Sequence, residues 1–101
     1  MASKLSPIFR YKVKGKSMEP HLKEGSNVYI SRLAYLFVDP EPNEIIALNH
    51  PTENIPVIKR VKHITDEGHI FVVGDNSKHS TDSRHYGPVK REHVIGKVML
   101  K

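Results

Sequence analysis

Short runs rich in β-branched residues, each closed by Gly, Pro, Asn or Asp, constrain this chain more than any other feature. Val28-Tyr29-Ile30 follows Gly25-Ser26-Asn27, and Ile45 to Leu48 lies between Pro42-Asn43 and Asn49-His50-Pro51. Val57 to Ile64 comes next, then Ile70 to Val73 ending at Gly74-Asp75-Asn76, and finally Val94 to Leu100. Segments of that length and composition predict strands joined by tight connections. No window carries the 3.6-residue period of a long amphipathic helix. The expected fold is therefore mainly β: a small antiparallel β domain with at most short helical turns. The best helical candidate starts at Ser17, with Pro20 in its first turn and Glu19 at its positive end. Residues 1–12 read as an N-terminal arm or edge strand, and residues 13–101 as a single domain. Leu33 to Phe37 reads as a buried strand or hairpin.

At 101 residues the chain supports one modest core and little more. It has no cysteine, which excludes a disulfide framework, a cysteine nucleophile and a thiolate metal site. Its 16 Lys and Arg outnumber 11 Asp and Glu, a net charge of +5 that favours anionic partners but is scattered along the sequence. The longest purely apolar run, Leu33 to Val38, falls far short of the roughly 20 residues a membrane helix needs. Residues 1–14 lack the apolar region of a secretory signal. A soluble, cytoplasmic chain is expected. His63 with His69, and His79 with His85, match no common helical ligand spacing, so no metal or cofactor is expected. At 7% aromatic residues there is no obvious platform for stacking bases, and no nucleic-acid partner is expected.

Three segments carry groups able to do chemistry. In Gly15-Lys16-Ser17-Met18-Glu19-Pro20-His21-Leu22, a serine at a turn exposes its hydroxyl close to backbone N–H groups. It then serves as a nucleophile beside an oxyanion site, or merely as a helix cap. In Val57 to Ile64, strand alternation puts Val57, Lys59 and Val61 on one face, with Ile58, Arg60, Lys62 and Ile64 on the other. An amine between two valines loses solvation, which disfavours the ammonium and suits a general base. The alternative is an edge lysine that reaches out to water. From Gly74 to Val89 runs a long polar loop in which Asp82 and Arg84 are placed to pair.

Taken in order, Ser-Met-x-Pro, Lys-Arg-Val and Gly-Asp-Asn-x-x-x-Ser-x-Asp-Ser-Arg-x-x-Gly-Pro-Val resemble the type I signal peptidase family of serine–lysine endopeptidases. The likeness spans about residues 13 to 100 and implies a signal-peptidase-like catalytic domain. It implies Ser17 as nucleophile, Lys59 as general base and Ser80 as the hydroxyl that orients the amine. Asp75, Asp82 and Arg84 would brace the active-site loop, and Met18 and Pro20 would shape the turn after the nucleophile. Ser17's own N–H would meet the oxyanion, while Gly15 stands where some members have a second hydroxyl donor. Gly25-Ser26, Asn43-Glu44, Ser77 and His21 depart from the family pattern. The short link between Lys-Arg-Val and Gly-Asp-Asn is similar to compact nickel-type superoxide dismutase maturation proteases. Arg32 to Phe37 is closer to ordinary signal peptidases.

The resemblance implies removal of an N-terminal leader or signal peptide from a precursor polypeptide, with peripheral membrane contact through any exposed apolar residues at Leu33 to Phe37. Two alternatives stay open: a non-catalytic basic β binding module, and a self-cleaving repressor-type serine–lysine module.

Overall fold

A computed structural model describes residues 7–99. Six strands form one sheet: β1 (Ile8–Lys12), β2 (Asn27–Ser31), β3 (Ile45–Asn49), β4 (Pro56–Ile64), β5 (Ile70–Val73) and β6 (Val94–Met99). Their order across the sheet is β1-β2-β6-β3-β4-β5, with every pairing antiparallel. The mainly β expectation holds. Each strand grows from one of the runs that turn residues delimit, except β1, which occupies the sheet edge. Leu100, which the sequence adds to the last run, lies outside the described residues.

β3 explains how so thin a chain makes a core. Ile45 and Ala47 face one apolar cluster with Val28, Ile30, Ile58 and Val98. Ile46 and Leu48 face a second, with Val61, Ile70, Val72 and Val89. Because side chains alternate along a strand, a strand buried on both faces must be apolar throughout, as Ile45-Ile46-Ala47-Leu48 is.

The helical candidate at Ser17 is instead a turn. Glu19 N donates to Lys16 O and Leu22 N to Met18 O, and the ring nitrogen of Pro20 has no hydrogen to extend the series. Regular helix is confined to α1 (Ser83–Tyr86) and two single 3₁₀ turns among the described residues. Asp82 caps α1 by accepting from Arg84 N, and Asp82 N donates to His85 Nδ1, completing a capping box.

Two further expectations change. The register of β4 against β5 shifts between Val61 and His63. A bulge inverts the alternation beyond it, so Ile64 packs into the Val61 cluster rather than on the Arg60 face. Residues 33–38 form an exposed loop, not a buried strand. Tyr35 alone is buried there, while Phe37 is 95% exposed and Leu33, Leu36 and Val38 are also open to solvent. The loop is pinned from below, with Arg91 Nη2 donating to Tyr35 O and Tyr35 Oη donating to Glu44 at 2.7 Å.

Candidate active site

The turn that carries Ser17 hangs between two core anchors. Val13 and Met18 are both buried in the first cluster, leaving residues 14–17 to arch over it. Gly15 makes the arch possible. Its φ of +77° is one that residues with a Cβ rarely adopt. Its N–H donates to Glu24 Oε2 at 3.2 Å, so it is already committed. Ser17 is half-buried, and among the described residues neither its N–H nor its hydroxyl has a hydrogen-bond partner.

Lys59 sits in the middle of β4, paired with Ile46 of β3 and flanked on its own face by Val57 and Val61. Only 5% of it is exposed. Burial lowers its pKa below the ordinary 10.5; the Arg84 charge acts in the same sense and the Asp82 charge resists. The sandwiched amine anticipated from the strand pattern is therefore present. Its Nζ donates to Ser80 Oγ at 3.2 Å.

Ser80 hands that contact on. Its hydroxyl donates to Asp82 Oδ2 at 2.6 Å, so its oxygen is left to accept from the amine. A neutral amine that gives one N–H to Ser80 keeps its lone pair for another direction. Asp82 is fully buried and fully used. Oδ2 accepts from Gly74 N at 2.8 Å and Arg84 Nη2 at 2.6 Å, and Oδ1 from Arg84 N at 3.1 Å and Nε at 2.9 Å. Burial pushes its carboxyl up, but these donors outweigh burial and hold it well below the usual range.

Gly74 is the joint between loop and turn. A Cβ there would lie 2.2 Å from Ser80 Oγ and 2.8 Å from Ser17 O. Two residues on, Asn76 N donates to Ser17 O at 2.7 Å. Asp75 works on the opposite side of the strand from Lys59. Arg60 grips it through Nε to Oδ1 and Nη2 to Oδ2, each 2.8 Å, and Arg60 Nη1 donates to Asn43 O at 2.8 Å.

Ser17 and Lys59 line the same groove, of about 260 Å³, together with Tyr11, Lys14, Gly15 and the stretch from Ile55 to Ile58. A separate cavity of about 390 Å³ runs beneath Pro20 to Lys23 and contains neither. Of the residues singled out from sequence, Ser17, Gly15 and Lys59 share the groove. Ser80, Asp82 and Arg84 form the support behind Lys59. Met18 is in the core, Pro20 borders the separate cavity and shares an open depression of about 440 Å³ with Asp75, and Asp75 braces its loop from the far face.

Sequence reasoning missed Gly74, Arg60, Tyr11 and Lys14. The Lys59-Arg60 pair held a usable signal: on a strand, neighbours point apart, so a motif that needs one on each face needs both. Tyr11 and Lys14 carried none.

The family described as "Signal peptidase, peptidase S26" matches residues 2–65 and 62–101. Signal peptidase I V of Bacillus subtilis is 25% identical over 135 residues, covering 85% of this chain and 80% of that one. Mitochondrial inner membrane protease subunit 1 of Mus musculus is 26% identical over 107 residues, covering 86% of this chain. The chain spans just under two thirds of that mouse protein, 64% of its length. Signal peptidase I of Aquifex aeolicus is 48% identical over a shorter stretch of 40 residues.

Proposed function

The chain belongs to the peptidase S26 signal peptidase family, and on that premise we propose that it is a serine endopeptidase. In this reading a Ser17–Lys59 dyad removes an N-terminal leader or signal peptide from a precursor protein. Residues 13–101 act as the catalytic unit. The observation that carries the reading is Lys59, a buried amine with a depressed pKa, held by Ser80 on the wall of the groove that Ser17 also lines.

The chemistry follows from those positions. Neutral Lys59 takes the Ser17 hydroxyl proton as Oγ bonds to the scissile carbonyl carbon. The carbonyl oxygen becomes an oxyanion, which the unengaged Ser17 N–H meets. The Lys59 ammonium then protonates the departing amine as the C–N bond breaks, leaving an ester on Ser17. Water, deprotonated by Lys59, attacks that ester. The tetrahedral carbon expels Ser17 Oγ, which regains its proton from Lys59.

The short β4–β5 connection supports a nickel-type superoxide dismutase leader as one precursor, and the relatives' names support signal peptides generally. The open loop of Leu33, Leu36, Phe37 and Val38 favours peripheral attachment to a bilayer. No helix of the described residues is long and apolar enough to cross one. Replacing Leu36 and Phe37 by Ser is expected to abolish co-sedimentation with liposomes; unchanged sedimentation overturns the membrane contact.

The deciding experiment incubates the chain with candidate precursors and identifies new N-termini by mass spectrometry. Ser17→Ala and Lys59→Met are each expected to abolish cleavage while keeping a cooperative melt. Cleavage retained by either variant contradicts the dyad.

A further inference from the structure

The groove beside Ser17 is apolar along most of its wall, through Ile55, Pro56, Val57 and Ile58, and one exposed charge sits on it: Lys14. Among the described residues the Lys14 ammonium has no ion-pair or hydrogen-bond partner. Three cations that brace the structure are paired, Arg60 with Asp75, Arg84 with Asp82 and Lys97 with Glu44. A carboxylate does sit behind the turn, because Glu24 Oε2 accepts the Gly15 N–H. Yet neither Glu24 nor any other acid lines the groove. An unpaired cation on the wall of a low-dielectric cleft concentrates its field along the path a substrate must take.

We propose that Lys14 is a specificity residue, selecting substrates that place an Asp or Glu side chain in this groove next to the scissile peptide. The position fits the chemistry. Lys14 lies three residues before the hydroxyl that attacks, on the same arch, so an extended peptide passing Ser17 runs within reach of the ammonium. The contact stays at the solvent edge, so it discriminates by several-fold without a large desolvation cost.

This inference rests on the Ser17–Lys59 reading, and its test separates the two. Peptides built on the sequence around the observed cut carry Glu, Gln or Lys at each residue flanking the cut in turn. The wild-type chain is expected to prefer Glu over Gln at one position by up to about fivefold in kcat/KM, the scale of an exposed ion pair. Lys is expected to be the poorest residue there. Lys14→Ala erases that preference and Lys14→Glu reverses it. Lys62→Glu makes the same charge change on an exposed part of β4 outside the groove and leaves the preference intact. Indifference of the wild type to charge at every position overturns the proposal, as do equal shifts from Lys14→Glu and Lys62→Glu. If Gln peptides are cut by wild type but not by Ser17→Ala, the dyad stands whatever the Lys14 outcome. Gln peptides cut equally by wild type and Ser17→Ala overturn the dyad.

Discussion

Both oxygens of Asp82 are saturated by donors from three directions: the Gly74 backbone, the Ser80 hydroxyl and the Arg84 head and backbone. A carboxylate so held orients Ser80, and through Ser80 the amine of Lys59. Asp82→Asn keeps the shape but loses the charge, leaving Arg84 unpaired and an amide N–H facing donors. Breaking a buried pair costs about 3 kcal/mol at the lower end of such losses, which applies here because Arg84 is 38% exposed. The folded carboxyl titrates below its unfolded value of 3.8, so its contribution is complete above that value and is lost as pH falls through the folded pKa. Thermal melts are expected to show wild type losing stability on acidification. Asp82→Asn should be weaker at neutral pH but flatter toward acid. Because the Asp82 charge raises the Lys59 pKa, the variant's remaining activity should also reach its plateau at lower pH. Gly74→Ala is a second case. The added methyl has nowhere to go between Ser80 and the Ser17 carbonyl, and overpacking of this kind costs about 1–3 kcal/mol. Activity should fall further than stability, measured as kcat/KM beside denaturant midpoints.

Among the elements, β3 and β4 do the positioning. β3 separates two clusters and pairs with β4 across Lys59, so Ile46→Ala strikes the site's floor as well as the core. A loss of about 2–5 kcal/mol in urea unfolding is expected for truncating a fully buried isoleucine. Much of this was legible beforehand. Runs bounded by Gly, Asn and Pro located five strands because a half-buried strand needs β-branched residues and an exposed turn needs permissive ones. Alternation along Val57 to Val61 correctly sandwiched Lys59. The same rule failed at Ile64, where the bulge follows from the fit of β4 to β5 rather than from either strand's composition. An apolar run misled in another way at Leu33 to Phe37, where burial was expected and the structure leaves all but Tyr35 and the half-buried Ala34 in solvent. The groove's far wall was illegible for a related reason. Tyr11 of β1 reaches Pro56 through Tyr11 Oη donating to its carbonyl at 3.3 Å, a contact across 45 residues that no local pattern encodes.

Across the whole molecule, Lys59 stands against stability. An amine whose folded pKa lies below its unfolded 10.5 penalises the fold while charged. Between those two pKa values the unfolded chain binds more protons, so this group makes stability rise with pH there. Lys59→Met removes the desolvated charge and keeps the Ser80–Asp82 bond, so it should melt at or above the wild-type temperature at neutral pH. That rise should also vanish from its pH-dependent melts. Inactive yet no less stable is the signature of a residue kept for chemistry rather than for packing. The proposed mechanism requires this amine to be unprotonated when it meets Ser17. The most direct measurement is an NMR titration of the Lys59 side chain, assigned by comparison with Lys59→Met, alongside the pH dependence of kcat/KM. The expected result is a Lys59 pKa clearly below 10.5 that coincides with the rise in cleavage rate. A Lys59 that titrates with the surface lysines, or a rate that ignores its titration, contradicts it.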